Sequence, residues 1–251
     1  MSGHSHWATI RRKKRAADAK RGAVFTRLAR EIVMAAREGG SDPDSNVRLQ
    51  LAMDRARAQN MPKDNIERAA KRGAGENKEG IIFEQVMYEG YGPHGAAILM
   101  ECVTDNRNRA VAEIRHLLSR YGGTMAEAGA VSWQFTRAAY FSFPAEGHDP
   151  DAIFELAVDG GADDIKNDGE EVEIIAPVDA FKAIGDRLHA KGIQPEEAGL
   201  RMLPNQEIEL EVDATLSVMK LVESLEELDD IQNVFTNLRI TDEAVAALEA
   251  G

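Results

Sequence analysis

AAYFSFPAEGHDPDAIFELAVDGGADDIKNDGEEVEIIAPVDAFKAIGDRLHAKGIQPEEAGLRMLP, residues 138–204, decides the fold class. The apolar strand AAYFSF leads into the helical pattern PDAIFELAVDGG. Strands follow near Ile165 and at Val172 to Ala176, then the helix VDAFKAIGDRLHAKG and a last strand across Leu200 to Leu203. A β-α-β-β-α-β series of this length is the split β-α-β pattern of a ferredoxin-like domain. It is complete in itself.

The segments on either side are not. Residues 81–136 read as strand Phe83 to Gly90, strand Ala96 to Val103, a helix from about Arg107 to Tyr121 with Val111, Ile114, Leu117 and Leu118 as its apolar stripe, and a third strand Val131 to Thr136. After Pro204 come a strand-like IELEV, a helix from about Leu216 to Leu228 and a strand near Asn233 to Leu238. These are the elements the middle segment lacks. The expected organisation is a discontinuous middle α+β domain, residues 81–136 plus 205–240, into which the ferredoxin-like domain 138–204 is inserted.

Further toward the N-terminus the period changes to helical. Phe25, Leu28, Ile32 and Ala35 recur on one face of a helix beginning near Ala16, with Lys20, Arg27, Arg30 and Arg37 roughly opposite. Gly39 and Gly40 stop it. Asn46 to Gln59 and a segment restarting at Pro62 and ending at Arg72 are two more helices, each too short to be stable alone, so a small bundle is expected. Residues 1–75 thus form an N-terminal arm and three-helix domain, and the glycine-rich GAGENKEG, residues 73–80, is a linker. The fold class is α+β: the helical domain, then two α/β-sandwich domains.

Charge divides the same chain differently. Ser2 to Arg37 carries ten Lys or Arg against two acids, whereas the whole protein has a net charge of -13. Residues 1–80 hold 18 basic and 10 acidic side chains; residues 81–251 hold 12 and 33. The consecutive cations Arg11, Arg12, Lys13, Lys14 and Arg15 would repel one another if packed together, so they read as an arm for a polyanion, where counterion release rewards each phosphate neutralised. His6 and Trp7 are interleaved with this charge, and an aromatic ring can stack on an unpaired base.

Several functions are disfavoured. Cys102 is the only cysteine, which excludes an internal disulfide and a multi-thiolate metal site. No run approaches the roughly 18 apolar residues of a membrane span. The basic start lacks both the apolar stretch of a secretion signal and the Ser-rich character of a transit peptide, so a cytoplasmic protein is expected. His4 and His6 have a metal-pair spacing without further ligands, no His sits beside a Ser or Cys in a nucleophile motif, and no metal, cofactor or small-molecule substrate is expected.

Two motifs point elsewhere. GYGPHG, residues 90–95, matches G-x-G-x-x-G, but a strand follows where a pyrophosphate needs a helix, so a hairpin turn with exposed Tyr88 and Tyr91 is the reading. TDNRNR, residues 104–109, places Asp105 or Asn106 at a helix N-cap and two arginines in the first turn, against the helix dipole. Either an external anion or plain surface exposure accounts for them.

GHSHWATIRRKKRAADAKRG, NMPKDNIERAAKRG and YEGYGPHGAAILMECVTDNRNR, in this order, resemble the YebC/PmpR family, which includes the mitochondrial translational activator of cytochrome oxidase subunit 1. The resemblance spans essentially the whole chain. It implies three domains with the third inserted into the second, and a cytoplasmic, non-enzymatic regulator of gene expression. Family members are described as DNA-binding transcriptional regulators, others as ribosome-associated factors that aid translation of proline-rich stretches. The partner implied is therefore DNA or ribosomal RNA. By motif, His4, Trp7, Arg11, Lys14, Arg15, Lys20 and Arg21 would contact nucleic acid, together with His6, Arg12, Lys13, Arg27 and Arg30 from the same basic stretch. Tyr88, Glu89, Gly90, Tyr91, Gly92 and Pro93, with Asp105, Asn106, Arg107 and Arg109, would form a second functional surface. Two positions depart from the family pattern: His6 stands where Lys is usual, and TMAEAGAVSWQF replaces a version richer in glycine and serine.

Overall fold

The computed structural model describes residues 21–75 and 83–249. By their internal contacts the described residues form two units: one holds residues 21–31, 75, 83–136 and 204–249, the other residues 32–74 and 137–203.

The helical stretch begins with α1 (Arg21–Gly39). Leu28, Ile32 and Ala35 are buried along it, and Gly40 ends it with a φ of +88°, a left-handed turn that glycine makes without strain. Asn46 joins this end to the next helix. Its amide donates to the carbonyls of Ala35 (2.8 Å) and Gly40 (2.9 Å), while its side-chain oxygen accepts the Leu49 N–H at the start of α2 (Val47–Ala58). α3 (Lys63–Gly73) follows Pro62, with Asp64 in its first turn and Lys71 and Arg72 in its last, the arrangement that suits the helix dipole.

In the first unit, β1 (Glu84–Tyr91) and β2 (Ala97–Thr104) form an antiparallel hairpin. α4 (Arg107–Arg120) leads to the short β3 (Thr124–Ala126), which pairs antiparallel with β1. After residue 204, α7 (Val212–Glu226) and β8 (Ile231–Thr236) complete a four-stranded sheet of order β3-β1-β2-β8. One core lies between sheet and helices: Ile98, Met100 and Cys102 of β2 meet Ile114 and Leu118 of α4, Leu221 and Leu225 of α7, and Ile231. Burial pushes the Cys102 thiol up to about 12.

Three expectations are corrected here. Val131 to Gln134 is not strand: Ser132–Gln134 is a 3₁₀ turn, held by Glu89 as described below, Phe135 and Thr136 open the following strand, and the third strand of this sheet is Thr124–Ala126 instead. IELEV forms only a single parallel bridge, Ile208 with Leu238, because the Glu211 carbonyl already accepts from Thr215 at the start of α7. A terminal helix α8 (Asp242–Glu249) buries Ala244 and Val245, the latter against Val218, Val222 and Ile240, beyond the last element expected.

The second unit carries the inserted series: β4 (Phe135–Pro144), α5 (Pro150–Asp159), β5 (Asp164–Asn167), β6 (Glu171–Ala176), α6 (Phe181–Ala190) and β7 (Glu197–Pro204). The strand order β5-β6-β4-β7 is ferredoxin-like. Phe141, Phe143, Ile174, Ile184 and Leu188 fill its core, and Leu51 of α2 packs against the same cluster. Gly185 of α6 faces α2, where an added Cβ would come within 3.0 Å of Val47.

Candidate nucleic-acid interface

Of the basic stretch, His4, His6, Trp7, Arg11, Arg12, Lys13, Lys14, Arg15 and Lys20 lie outside the described residues. Arg21 opens α1. Arg27 and Arg30, read from the sequence as outward cations, turn to the acidic corner between α7 and β8. Arg27 donates to the Glu226 carbonyl and Arg30 to the Asp229 carbonyl. Arg30 is buried, its guanidinium 2.9 Å from the Asp230 carboxylate and 5.3 Å from the centroid of Phe83. A buried arginine already paired with a carboxylate is not available to a phosphate, which removes Arg30 from the expected contact set.

Asp230 is the centre of that corner. At 2% exposure it accepts the Thr104 hydroxyl (2.9 Å), the Arg30 guanidinium, and both Nε (3.1 Å) and Nη2 (2.8 Å) of Arg109. One buried charge thus neutralises two cations from different helices, with a hydroxyl filling a remaining lone pair.

TDNRNR therefore finds its anions inside the chain. Asn106, not Asp105, is the N-cap of α4, its side chain accepting the Arg109 N–H. Arg109 also binds Asp105 at 2.8 Å, which holds the Asp105 carboxyl below its usual range. Arg107 pairs with Glu84 at 2.5 Å across the hairpin. The two arginines that oppose the dipole are compensated locally, and Arg107, 61% exposed, remains accessible.

At the other end of β1 the turn 88–93 is built on packing. Tyr88 lies half-buried against the core of β2 and α4 rather than exposed, and burial raises its phenol. Gly90 sits where a Cβ would come within 2.9 Å of the Thr124 carbonyl, and Gly92 where it would come within 2.9 Å of Ile98. The glycines admit neighbouring backbone and side chains, which is why the dinucleotide-like spacing arises without a phosphate site. Glu89 is buried and accepts three backbone N–H groups: Gly129 (2.7 Å), Val131 (2.6 Å) and Ser132 (2.9 Å). Burial alone would raise its carboxyl, but the three donors outweigh that and hold it below its usual value.

The same loop meets Tyr91, whose hydroxyl donates to the Ala130 carbonyl at 3.1 Å. Trp133 Nε1–H donates to that carbonyl too, at 3.0 Å, and the residue is 71% exposed. The sequence showed only an apolar residue in an expected strand here. Nor could it single out Asp230, or give Glu89 the anchoring role it has here, since acids recur throughout residues 81–251 and only the folded pairing distinguishes them. The register sets Glu84 opposite Thr104 and Tyr91 opposite Ala97, so the arginine-bearing and tryptophan-bearing ends of the hairpin are about 23 Å apart. They are two surfaces, not one pocket. Among the described residues no group of three or more His, Cys, Asp or Glu side chains could hold a metal ion, and no helix is long and apolar enough to cross a membrane.

The profile of the TACO1/YebC protein N-terminal domain matches residues 5–76, and that of the TACO1/YebC second and third domain matches residues 83–238. The chain belongs to the TACO1/YebC family. A relative from Acidithiobacillus ferrooxidans is 50% identical over 250 residues, covering 100% of this chain and 99% of its own. Another, from Desulfatibacillum aliphaticivorans, is 46% identical over 245 residues, 98% of this chain and 99% of its own. Both are named "Probable transcriptional regulatory protein". A crystal structure of a conserved hypothetical protein from Aquifex aeolicus superposes with a TM-score of 0.80 at 38% identity, over 90% of this chain and 93% of that one.

Proposed function

We propose that this TACO1/YebC protein is a non-enzymatic, cytoplasmic regulator of gene expression that grips nucleic acid through its basic start. The observation that carries this is the concentration of ten cations against two acids between Ser2 and Arg37 in a chain of net charge -13. His4, His6, Trp7, Arg11, Arg12, Lys13, Lys14, Arg15, Lys20 and Arg21 are the contacts, and Arg107 and the turn carrying Tyr91 contribute two further, separate surfaces. The relatives' name, "Probable transcriptional regulatory protein", supports DNA as the first partner to test.

One observation favours ribosomal RNA as the alternative. Residues 81–251 carry 33 acidic side chains against 12 basic ones, and such a body is repelled along a duplex but tolerated where RNA touches one edge and protein another. Crosslinking in cells followed by sequencing of the bound nucleic acid separates the two. Reads from promoters support the transcriptional role and reads from ribosomal RNA the translational one; an absence of enriched nucleic acid refutes both.

A further inference from the structure

Trp133 is an exposed aromatic held in place by a turn whose polar groups are already engaged. Its indole N–H donates to the Ala130 carbonyl (3.0 Å), and its own carbonyl accepts the Asn205 side-chain amide (3.1 Å). On either side, the Ser132 N–H donates to the buried Glu89 and the Gln134 N–H to the Val131 carbonyl (2.9 Å). The Gln134 carbonyl accepts the Asn205 N–H at 2.7 Å. What the turn presents outward is therefore an indole that needs no further hydrogen bond. Ordering cost has been met by Glu89 and Asn205 before any ligand arrives.

The chemistry of the surroundings narrows the ligand. Thr124 to Gln134 contains one ionisable side chain, Glu127, and no cation, so the loop does not attract a phosphate. The side chains bonded to the turn from outside it are Glu89, buried with its charge met by three backbone N–H groups, the Tyr91 hydroxyl, and the neutral amides of Asn205 and Asn237, the latter reaching Gln134 at 3.3 Å. A flat, uncharged partner with its own π-face fits this site, and in a nucleic acid that is a base rather than the backbone.

We infer that Trp133 is a stacking platform for an unpaired nucleobase, supplied by single-stranded RNA or DNA, which acts beside the phosphate-binding arm. This rests on the nucleic-acid reading above. A base inside a duplex has both faces covered by its neighbours and cannot reach the ring, so the site discriminates single strands from duplexes where the arm does not.

The test uses the full chain with Trp7→Phe, which leaves Trp133 as the sole tryptophan. Its emission is followed while oligouridylate, oligothymidylate and a duplex of equal length are added. Quenching by either single strand and not by the duplex is expected, and the strand that quenches more identifies the source. Adding Trp133→Ala weakens single-strand affinity about 5- to 100-fold, as loss of one stacked base does, with the slope against salt unchanged because no phosphate contact is removed. Trp133→Phe retains most of the affinity. If the oligonucleotides bind with a steep salt dependence while Trp133 emission and the affinity of Trp133→Ala stay unchanged, or if the duplex quenches equally, this inference is overturned and the arm's role stands. If the unsubstituted chain also binds none of the oligonucleotides, both fall.

Discussion

Replacing Asp230 by Asn removes the charge on which Arg30 and Arg109 converge while keeping the side chain's volume. The two arginines respond differently. Arg109 is 42% exposed on its side chain and keeps Asp105, so it turns to water at a cost of at most about 1 kcal/mol. Arg30 is 8% exposed on its side chain and cannot. Stranding a buried cation costs about 3–5 kcal/mol, of which the neutral Asn oxygen and the Asp229 carbonyl recover part, leaving roughly 3 kcal/mol in total. For a chain of this size that corresponds to a fall of about 6–12 °C in Tm. Urea unfolding followed by Trp133 emission in the Trp7→Phe background reads the unit that contains the corner. The second arm of the experiment is Arg30→Met: combined with Asp230→Asn it restores about 2 kcal/mol, because the uncompensated charge is gone. A loss below about 1 kcal/mol for Asp230→Asn, or an equal loss for Arg109→Ala, refutes the assignment of the cost to the buried Arg30.

Three further outcomes are expected. Changing Arg11, Arg12, Lys13, Lys14 and Arg15 together to Ala lowers the slope of log affinity against log salt by up to about 4.5 on duplex DNA or about 3.5 on a single strand; an unchanged slope places the contact elsewhere. Glu89→Gln costs about 2 kcal/mol at neutral pH and leaves an acid limb flatter than that of the wild type. The folded carboxyl is depressed, so its stabilisation is complete above pH about 4.5 and lost as pH falls through the lower folded value, where the two proteins converge; urea titrations from pH 7 to 3 that stay parallel rule this out. Deleting residues 205–251 strips Leu221, Leu225 and Ile231 from the core of β2 and α4 and abolishes cooperative melting of residues 81–136, whereas a fragment of residues 138–204 melts cooperatively; a sharp transition in the first would overturn this division of the chain.

What could be read from residues alone followed from how local the signal was. The series 138–204 was legible because each strand and helix announces its own period, as Phe141 and Phe143 do on alternate positions of β4 and Ile184 and Leu188 four apart on α6. Val131 misled because its apolar neighbours imitate a strand, while the cause of the turn, Glu89, is 42 residues away. Cations were equally ambiguous. Arg30 has the helical phase of an outward residue, and only the return of the chain at Asp230 makes it an inward one. The dipole argument at Arg109 left an external anion or plain exposure, and neither could anticipate a carboxylate 121 residues later.

The position of Cys102 opens a practical route to the segment outside the described residues. The lone thiol is fully buried in β2, and its ionisation is driven up to about 12, so the thiolate that reacts with maleimides is scarce at neutral pH. A cysteine introduced at Ala8 or Ala17, within the basic start, would be the one that takes the label. Spin or fluorescence tags can therefore be placed along that segment in an otherwise natural sequence, and its response to added DNA or RNA followed directly.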